Sequence, residues 1–170
     1  MIRACDEADF DTILAVVNEA AEAYRGVIPP DRWREPYMTA DYLRSEIEAG
    51  VRFFCVEDQG EVLGVMGIQD VRDVTLVRHA YVRTTAQRRG AGGRLLAHLC
   101  DLTERPLLMG TWADATWAVS FYEKYGFKRV GRLETARLLR TYWDIPERQV
   151  QTSVVLGDAR AWRRVVREVS

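Results

Sequence analysis

Ten consecutive residues, Gln87-Arg88-Arg89-Gly90-Ala91-Gly92-Gly93-Arg94-Leu95-Leu96, combine three glycines with three arginines. Glycine lets a backbone approach a ligand closely and expose successive N–H groups. Where such a run opens a helix, the unpaired donors and the helix dipole favour a phosphate. Arginine keeps its charge at any working pH, so Arg88, Arg89 and Arg94 place cations at the same point. The chemistry on offer is phosphate binding. Two common nucleotide-binding turns do not fit it. A P-loop closes on Gly-Lys-Ser/Thr, whereas this stretch reads Gly93-Arg94-Leu95. A dinucleotide turn needs G-x-G-x-x-G in the first strand–helix–strand unit, but Leu95 occupies the last glycine position. The remaining thiols and imidazoles form no metal site. Cys5, Cys55 and Cys100 lack ligand spacing and read as core thiols of a reducing compartment. His98 sits on the helix that follows the glycines and needs no special role.

The elements around this turn follow from hydrophobic period. Phe10, Ile13, Leu14, Val17, Ala20, Ala21 and Tyr24 recur three and four apart, which predicts a helix with Asp6 as its N-cap. Residues 25–38 are rich in proline and aromatic residues and read as an ordered loop. Thr39 caps a shorter helix that stops at Gly50. The period then changes to that of strands, over 51–57, 61–69 and 74–82, with turns at Asp58-Gln59-Gly60 and at residues 70–73. Three antiparallel strands thus precede the glycine-rich turn. After it, Leu95, Leu96, Leu99 and Leu102 mark an amphipathic helix. Residues 106–111 predict a short buried strand, and 115–125 a helix ended by Gly126. Residues 127–133 and 150–156 predict a final strand pair. Asp158 caps a last helix with Trp162, Val165, Val166 and Val169 on one side.

Composition bounds the function classes. The length of 170 residues suits one domain with a real core. A net charge of −1 argues against bulk electrostatic binding to nucleic acid or to an anionic membrane. Arg160, Arg163, Arg164 and Arg167 therefore read as a solvated helix face. No apolar run approaches the ~18 residues of a membrane span, and the start lacks the apolar core of a signal peptide. A cytoplasmic protein is the expectation.

The stretch from Gln87 to Gly92 resembles the acetyl-CoA motif Q/R-x-x-G-x-G/A of the GNAT superfamily of acyl-CoA N-acyltransferases. Further downstream, Ala118-Val119-Ser120-Phe121-Tyr122-Glu123-Lys124-Tyr125-Gly126-Phe127 is similar to that family's A-x-x-F-Y-x-x-x-G-F segment. The element order agrees as well. The resemblance covers residues 1–157, the expected domain, with 158–170 as a terminal helix packed on it. It implies an α/β (α+β) GNAT fold: a seven-stranded, mostly antiparallel mixed sheet, flanked by helices and splayed between strands four and five, with CoA in the gap. The backbone around Tyr81 and Val82 would pair with the pantetheine, and the N–H groups from Arg88 through Gly93 would hold the pyrophosphate. Ala118, Phe121 and Tyr122 would line the other side.

The implied activity is N-acetyl transfer from acetyl-CoA, as co-substrate and without a metal, to a primary amine of a small molecule or peptide. Tyr122 matches the family's tyrosine acid, and its pKa of about 10 suits protonation of an alkyl thiolate. The N–H near Val82 matches the usual oxyanion donor. Many relatives carry a glutamate base on the fourth strand, but residues 74–78 offer no carboxylate. His79 is the best substitute there; a water chain ending at a carbonyl or a distant acid would serve equally. Ala115 replaces an asparagine that often touches CoA. By analogy, the 25–38 loop and the 139–149 connection build the acceptor side, with Tyr24, Trp33, Tyr37, Tyr142 and Trp143 as an aromatic pocket and Asp144 or Glu147 attracting a cationic amine. The motifs recognise CoA more than its acyl group. Exposed tryptophans and the added helix suit a homodimer. The competing expectation is a CoA-binding module that has lost catalysis and serves regulation.

Overall fold

The computed structural model describes residues 1–168. Contacts gather the chain into two compact units, Met1–Gln69 with Val77–Glu104, and Asp70–Leu76 with the chain from Arg105 on. In the first unit, the three-and-four spacing from Phe10 forms α1 (Phe10–Ala21), which buries Ile13, Val16, Val17, Ala20 and Ala21. Asp6 caps the short 3-10 turn that leads into it: its side chain accepts from the Ala8 N–H, and Asp9 answers on the Asp6 N–H. Thr39 caps α2 (Ala40–Glu48) by accepting from the Tyr42 N–H at 3.0 Å. Strand β1 (Ile2–Ala4) pairs antiparallel with β2 (Arg52–Asp58), and β2 with β3 (Glu61–Val71). Gln59 and Gly60, at φ 51° and 79°, make the tight turn between β2 and β3.

Side chains alternate across a strand, and β2 uses both faces. Phe53 and Cys55 join Ile13, Val17 and Leu43 in a core beneath α1 and α2. Phe54 faces the other way, with its ring 5.7 Å from that of His98 on α3 (Ala91–Asp101). On α3, Leu95, Leu96 and Leu99 are buried as expected. Leu102 is not: the helix ends before it, and it remains 47% exposed.

Strand β4 (Val74–Val82) contributes its first residues to the second unit. There the Thr75 N–H donates to the Pro106 carbonyl at 2.9 Å, at the head of β5 (Leu107–Trp112). Helix α4 (Thr116–Lys124) follows, and then β6, which is only Lys128–Arg129. β7 (Ser153–Gly157) pairs antiparallel with both β5 and β6. Two helices occupy ground read above as strand or connection. α5 (Arg132–Tyr142) starts within the expected 127–133 strand, and α6 (Glu147–Gln151) takes Val150 out of the expected 150–156 strand. The reason is packing: Thr135, Leu138, Leu139 and Tyr142 are buried at helical spacing, whereas Leu133 is 89% exposed. Leu138, Leu139 and Val150 join Val74, Leu76, Leu108 and Val155 in the second core.

Asp158 caps α7 (Ala159–Arg164) and also accepts from the Leu107 N–H, tying the helix to β5. Trp162, Val165 and Val166 pack on the second core, although the helix stops at Arg164. Val169 lies outside the described residues. The strands are hydrogen-bonded in the order β1-β2-β3-β4-β5-β7-β6, with β4 and β5 parallel, giving the mixed seven-stranded sheet that the sequence implies.

Candidate functional site

β4 delivers the chain to the glycine turn, and the connection is clamped. The Arg83 guanidinium donates to the Val62 carbonyl at 2.9 Å and to Glu19 on α1 at 2.6 Å. Glu19 also accepts from the N–H and hydroxyl of Thr84, each at 3.2 Å. Burial pushes the Glu19 carboxyl up, but Arg83 and Thr84 outweigh it and hold the pKa below the usual carboxylate range. This clamp was not legible beforehand, because Glu19 and Thr84 are 65 residues apart and neither belongs to a motif.

Beyond the clamp, Gln87 donates to the Val82 carbonyl at 3.3 Å. Arg88 and Gly90 take left-handed φ values of 64° and 79°. Gly90 is the N-cap of α3 and no side chain caps the helix; the Arg94 N–H returns to the Gly90 carbonyl at 3.0 Å. The N–H groups of Ala91, Gly92 and Gly93 thus precede the first intrahelical bond. Ala91 and Gly93 are buried, which suits their small size, while the side chains of Arg88, Arg89 and Arg94 are exposed. Arg89 sits 3.9 Å from Asp58, a loose surface pairing that costs little to break. N–H donors at a helix start, with exposed arginines in the same turn, have the chemistry to accept an anion.

The β4 face toward α2 carries His79 and Tyr81. His79 has φ 54°, an unusual value for a non-glycine residue in a strand. In a regular strand Arg78 and His79 would point to opposite faces. Here both reach the same oxygen, Glu46 Oε2 on α2, at 3.0 and 2.8 Å. The imidazole stacks on Phe53 (centroids 5.9 Å apart) and meets Tyr42 edge-on at 6.0 Å. Burial lowers its pKa below the usual histidine range, against the raising effect of Glu46. Burial would raise Glu46, but the hydrogen bond from His79 and the charge of Arg78 carry it below the usual carboxylate range. A neutral imidazole therefore faces an ionised carboxylate.

Tyr81 donates its hydroxyl to that of Tyr37 at 3.0 Å, and burial holds its phenol well above the usual range, so it stays neutral. Its ring lies 6.1 Å from both Tyr24 and Tyr37, and Trp33 lies 5.7 Å from Tyr37. Two of the five expected pocket aromatics thus meet Tyr81, and a third, Trp33, joins them through Tyr37. Arg25 covers Trp33 at 4.8 Å and pairs with Glu35 at 3.1 Å. Tyr142 and Trp143 belong to the second unit and pack on its core. The Tyr142 hydroxyl donates to Asp73 at 2.7 Å; burial and that carboxylate push its pKa up to about 12. Asp144 is exposed, and Glu147 is paired with Arg140 at 2.5 Å.

In the second unit, α4 holds Ala118, Phe121 and Tyr122. Ala118 and Tyr122 are buried and Phe121 is half-buried. The Tyr122 ring is set edge-on to Phe121 at 5.0 Å and to Phe127 at 5.7 Å. Gly126, at φ 89°, reverses the chain so that the Phe127 N–H reaches the Tyr122 carbonyl at 3.1 Å. Ala115 is the N-cap of α4 and makes no side-chain cap bond. Among the described residues, no group of three or more His, Cys, Asp or Glu could hold a metal ion, and no helix is long and apolar enough to cross a membrane.

A family model described as an acetyltransferase (GNAT) domain matches residues 16–140. The fold is similar to that of the PaiA N-acetyltransferase from Thermoplasma acidophilum, solved in complex with coenzyme A. The TM-score is 0.70 at 17% identity, covering 93% of this chain and 97% of that one. A GNAT-family acetyltransferase from Staphylococcus aureus gives 0.69 at 12% identity over 93% and 97%. The ribosomal-protein-S18-alanine N-acetyltransferase from Escherichia coli gives 0.64 at 18% over 93% and 92%.

Proposed function

The chain belongs to the GNAT acetyltransferase family, and from that premise we propose that it transfers an acetyl group from acetyl-CoA to the nitrogen of a primary amine by direct attack. The observation that carries the donor assignment is the turn from Arg88 to Arg94, where left-handed backbone, uncapped N–H groups and three arginine side chains coincide. Its N–H groups from Arg88 through Gly93 receive the pyrophosphate, and the backbone around Tyr81 and Val82 pairs with the pantetheine. The described part of 158–170 is read as belonging to the same domain, since Asp158 bonds β5.

An ammonium acceptor first gives one proton to a base, for which His79 is the candidate. The neutral amine adds to the thioester carbonyl, forming the C–N bond, while the N–H near Val82 receives the oxyanion. Collapse breaks the C–S bond. The nitrogen loses its second proton, and the CoA thiolate takes one from Tyr122, whose phenolate is reprotonated from solvent. The products are the amide, free CoA and one released proton.

Calorimetric titration with acetyl-CoA, free CoA and NADH tests the donor, followed by thiol release over a panel of amines. Micromolar acetyl-CoA binding without NADH binding is expected, with thiol release on at least one amine. No acetyl-CoA binding by folded protein overturns the proposal. Binding without thiol release on any amine favours the regulatory CoA-binding module, a reading toward which Ala115, in place of a CoA-touching asparagine, and the absence of a carboxylate over residues 74–78 lean.

A further inference from the structure

We propose that Glu46 is the positioning residue of the reaction: it fixes His79 as the Nε2–H tautomer, so that Nδ1 is the atom that takes the proton from the incoming amine. This rests on the reading of His79 as the base, and it assigns a role to a residue outside both sequence motifs.

The geometry is specific. His79 Nε2 lies 2.8 Å from Glu46 Oε2. An ionised carboxylate can only accept hydrogen bonds, and a neutral imidazole has one N–H donor and one lone pair. The proton of the neutral ring must then reside on Nε2, which leaves the lone pair on Nδ1. Glu46 engages Nε2, so Nδ1 is the nitrogen left for the amine, on a side chain that is 10% exposed. Phe53 from β2 and Tyr42 from α2 wall the ring on its face and edge, so it cannot turn to exchange its nitrogens without breaking both contacts.

Arg78 completes the arrangement. Its guanidinium shares Glu46 Oε2 at 3.0 Å and also donates to Gln69 on β3 at 2.9 Å. Burial of the ring, with the neighbouring Arg78 charge, outweighs the raising effect of the carboxylate, so Glu46 orients the ring and still leaves it neutral. When Nδ1 takes a proton, the Nε2–H bond to Glu46 persists and stabilises the imidazolium until that proton passes to solvent. The backbone at His79, at φ 54°, is what brings both side chains onto one oxygen.

The chain has only two histidines, His79 and His98, so the imidazole resonances are assignable with a His98→Gln variant. Long-range ¹H–¹⁵N spectra of the labelled protein at neutral pH need no acceptor. They are expected to show His79 protonated on Nε2 and bare on Nδ1. A wild-type His79 carrying its proton on Nδ1 overturns the proposal. In Glu46→Gln, mixed tautomers and titration at lower pH are expected, since the group that raises the imidazole is gone; an unchanged spectrum and titration also overturn it.

Kinetics with the most active amine of the panel supply the functional arm. Glu46→Gln is expected to lower kcat by roughly ten-fold or more, to move the acidic limb of kcat/KM to lower pH, and to leave acetyl-CoA affinity unchanged. The Glu46→Gln/His79→Gln pair should be no slower than His79→Gln alone. Additive losses, or an unchanged kcat in Glu46→Gln, refute the positioning role. An unchanged kcat in His79→Gln removes the base itself while calorimetry leaves the donor assignment standing.

Discussion

Tyr122 shows how a functional side chain can be a packing residue as well. It is 3% exposed, and its ring is set edge-on against both Phe121 and Phe127. As a general acid the phenol matters through its O–H, which Tyr122→Phe removes while the aromatic contacts stay. That variant should keep its fold and its acetyl-CoA affinity, and lose about ten-fold or more in turnover. Thiol-release rates set beside calorimetric affinity decide it: full turnover in the phenylalanine variant dismisses Tyr122 as the acid. The motif made Tyr122 legible in the sequence. Glu46 was not, because a glutamate on an amphipathic helix looks like any solvated charge until the strand opposite is known.

Elements were readable where local chemistry and burial agreed. The caps at Thr39 and Asp158 and the reversal at Gly126 are local signals used as expected, while Asp6 caps the 3-10 turn ahead of α1 instead of α1 itself. Gly126 gives a clean measurement. A Cβ there would meet nothing within 4 Å, so Gly126→Ala carries only the cost of φ 89°. A loss of about 1 kcal/mol in chemical denaturation is expected. A neutral result would mean that α4 and the Phe127 connection relax without strain. α5 was missed for a different reason. Its apolar positions lie among Arg132, Glu134, Arg137 and Arg140, so its buried stripe is narrow, and it follows directly on a β-like run. A two-residue strand, β6, is too short to show any period at all.

For the whole molecule, pH is the variable that gathers the dispersed ionisable groups. His79 is held neutral below its ordinary range, so below about pH 6.5 the unfolded chain binds a proton that the native state resists, and stability falls. Asp9, doubly bonded by Arg3 at 2.7 and 2.8 Å, has its pKa lowered to about 2. Its contribution is fully present above about pH 4 and is lost as pH falls toward 2. Melting temperature against pH should therefore decline in two windows. His79→Gln should flatten the upper one and Asp9→Asn the lower. At neutral pH Asp9→Asn should also cost roughly 1–3 kcal/mol, the scale of a hydrogen bond to a charged group. A wild-type curve flat from pH 7 to 5 would contradict the buried neutral imidazole.

What the sequence by itself determined is whatever depends on neighbours along the chain. The order of elements as far as α4, the glycine turn with its arginines, the Phe121-Tyr122 pair and the family all follow from residue types at fixed spacings. Only the tertiary structure decided what depends on residues distant in sequence. It sent Tyr24 and Tyr37 to Tyr81, with Trp33 against Tyr37, while Tyr142 and Trp143 were kept for a separate core. It clamped the turn with Glu19 and Arg83, and it set Glu46 against His79 across 33 residues. The physical reason is that a hydrogen bond is made at about 3 Å whatever the sequence separation, and nothing local in a sequence encodes which distant partner the packing will supply.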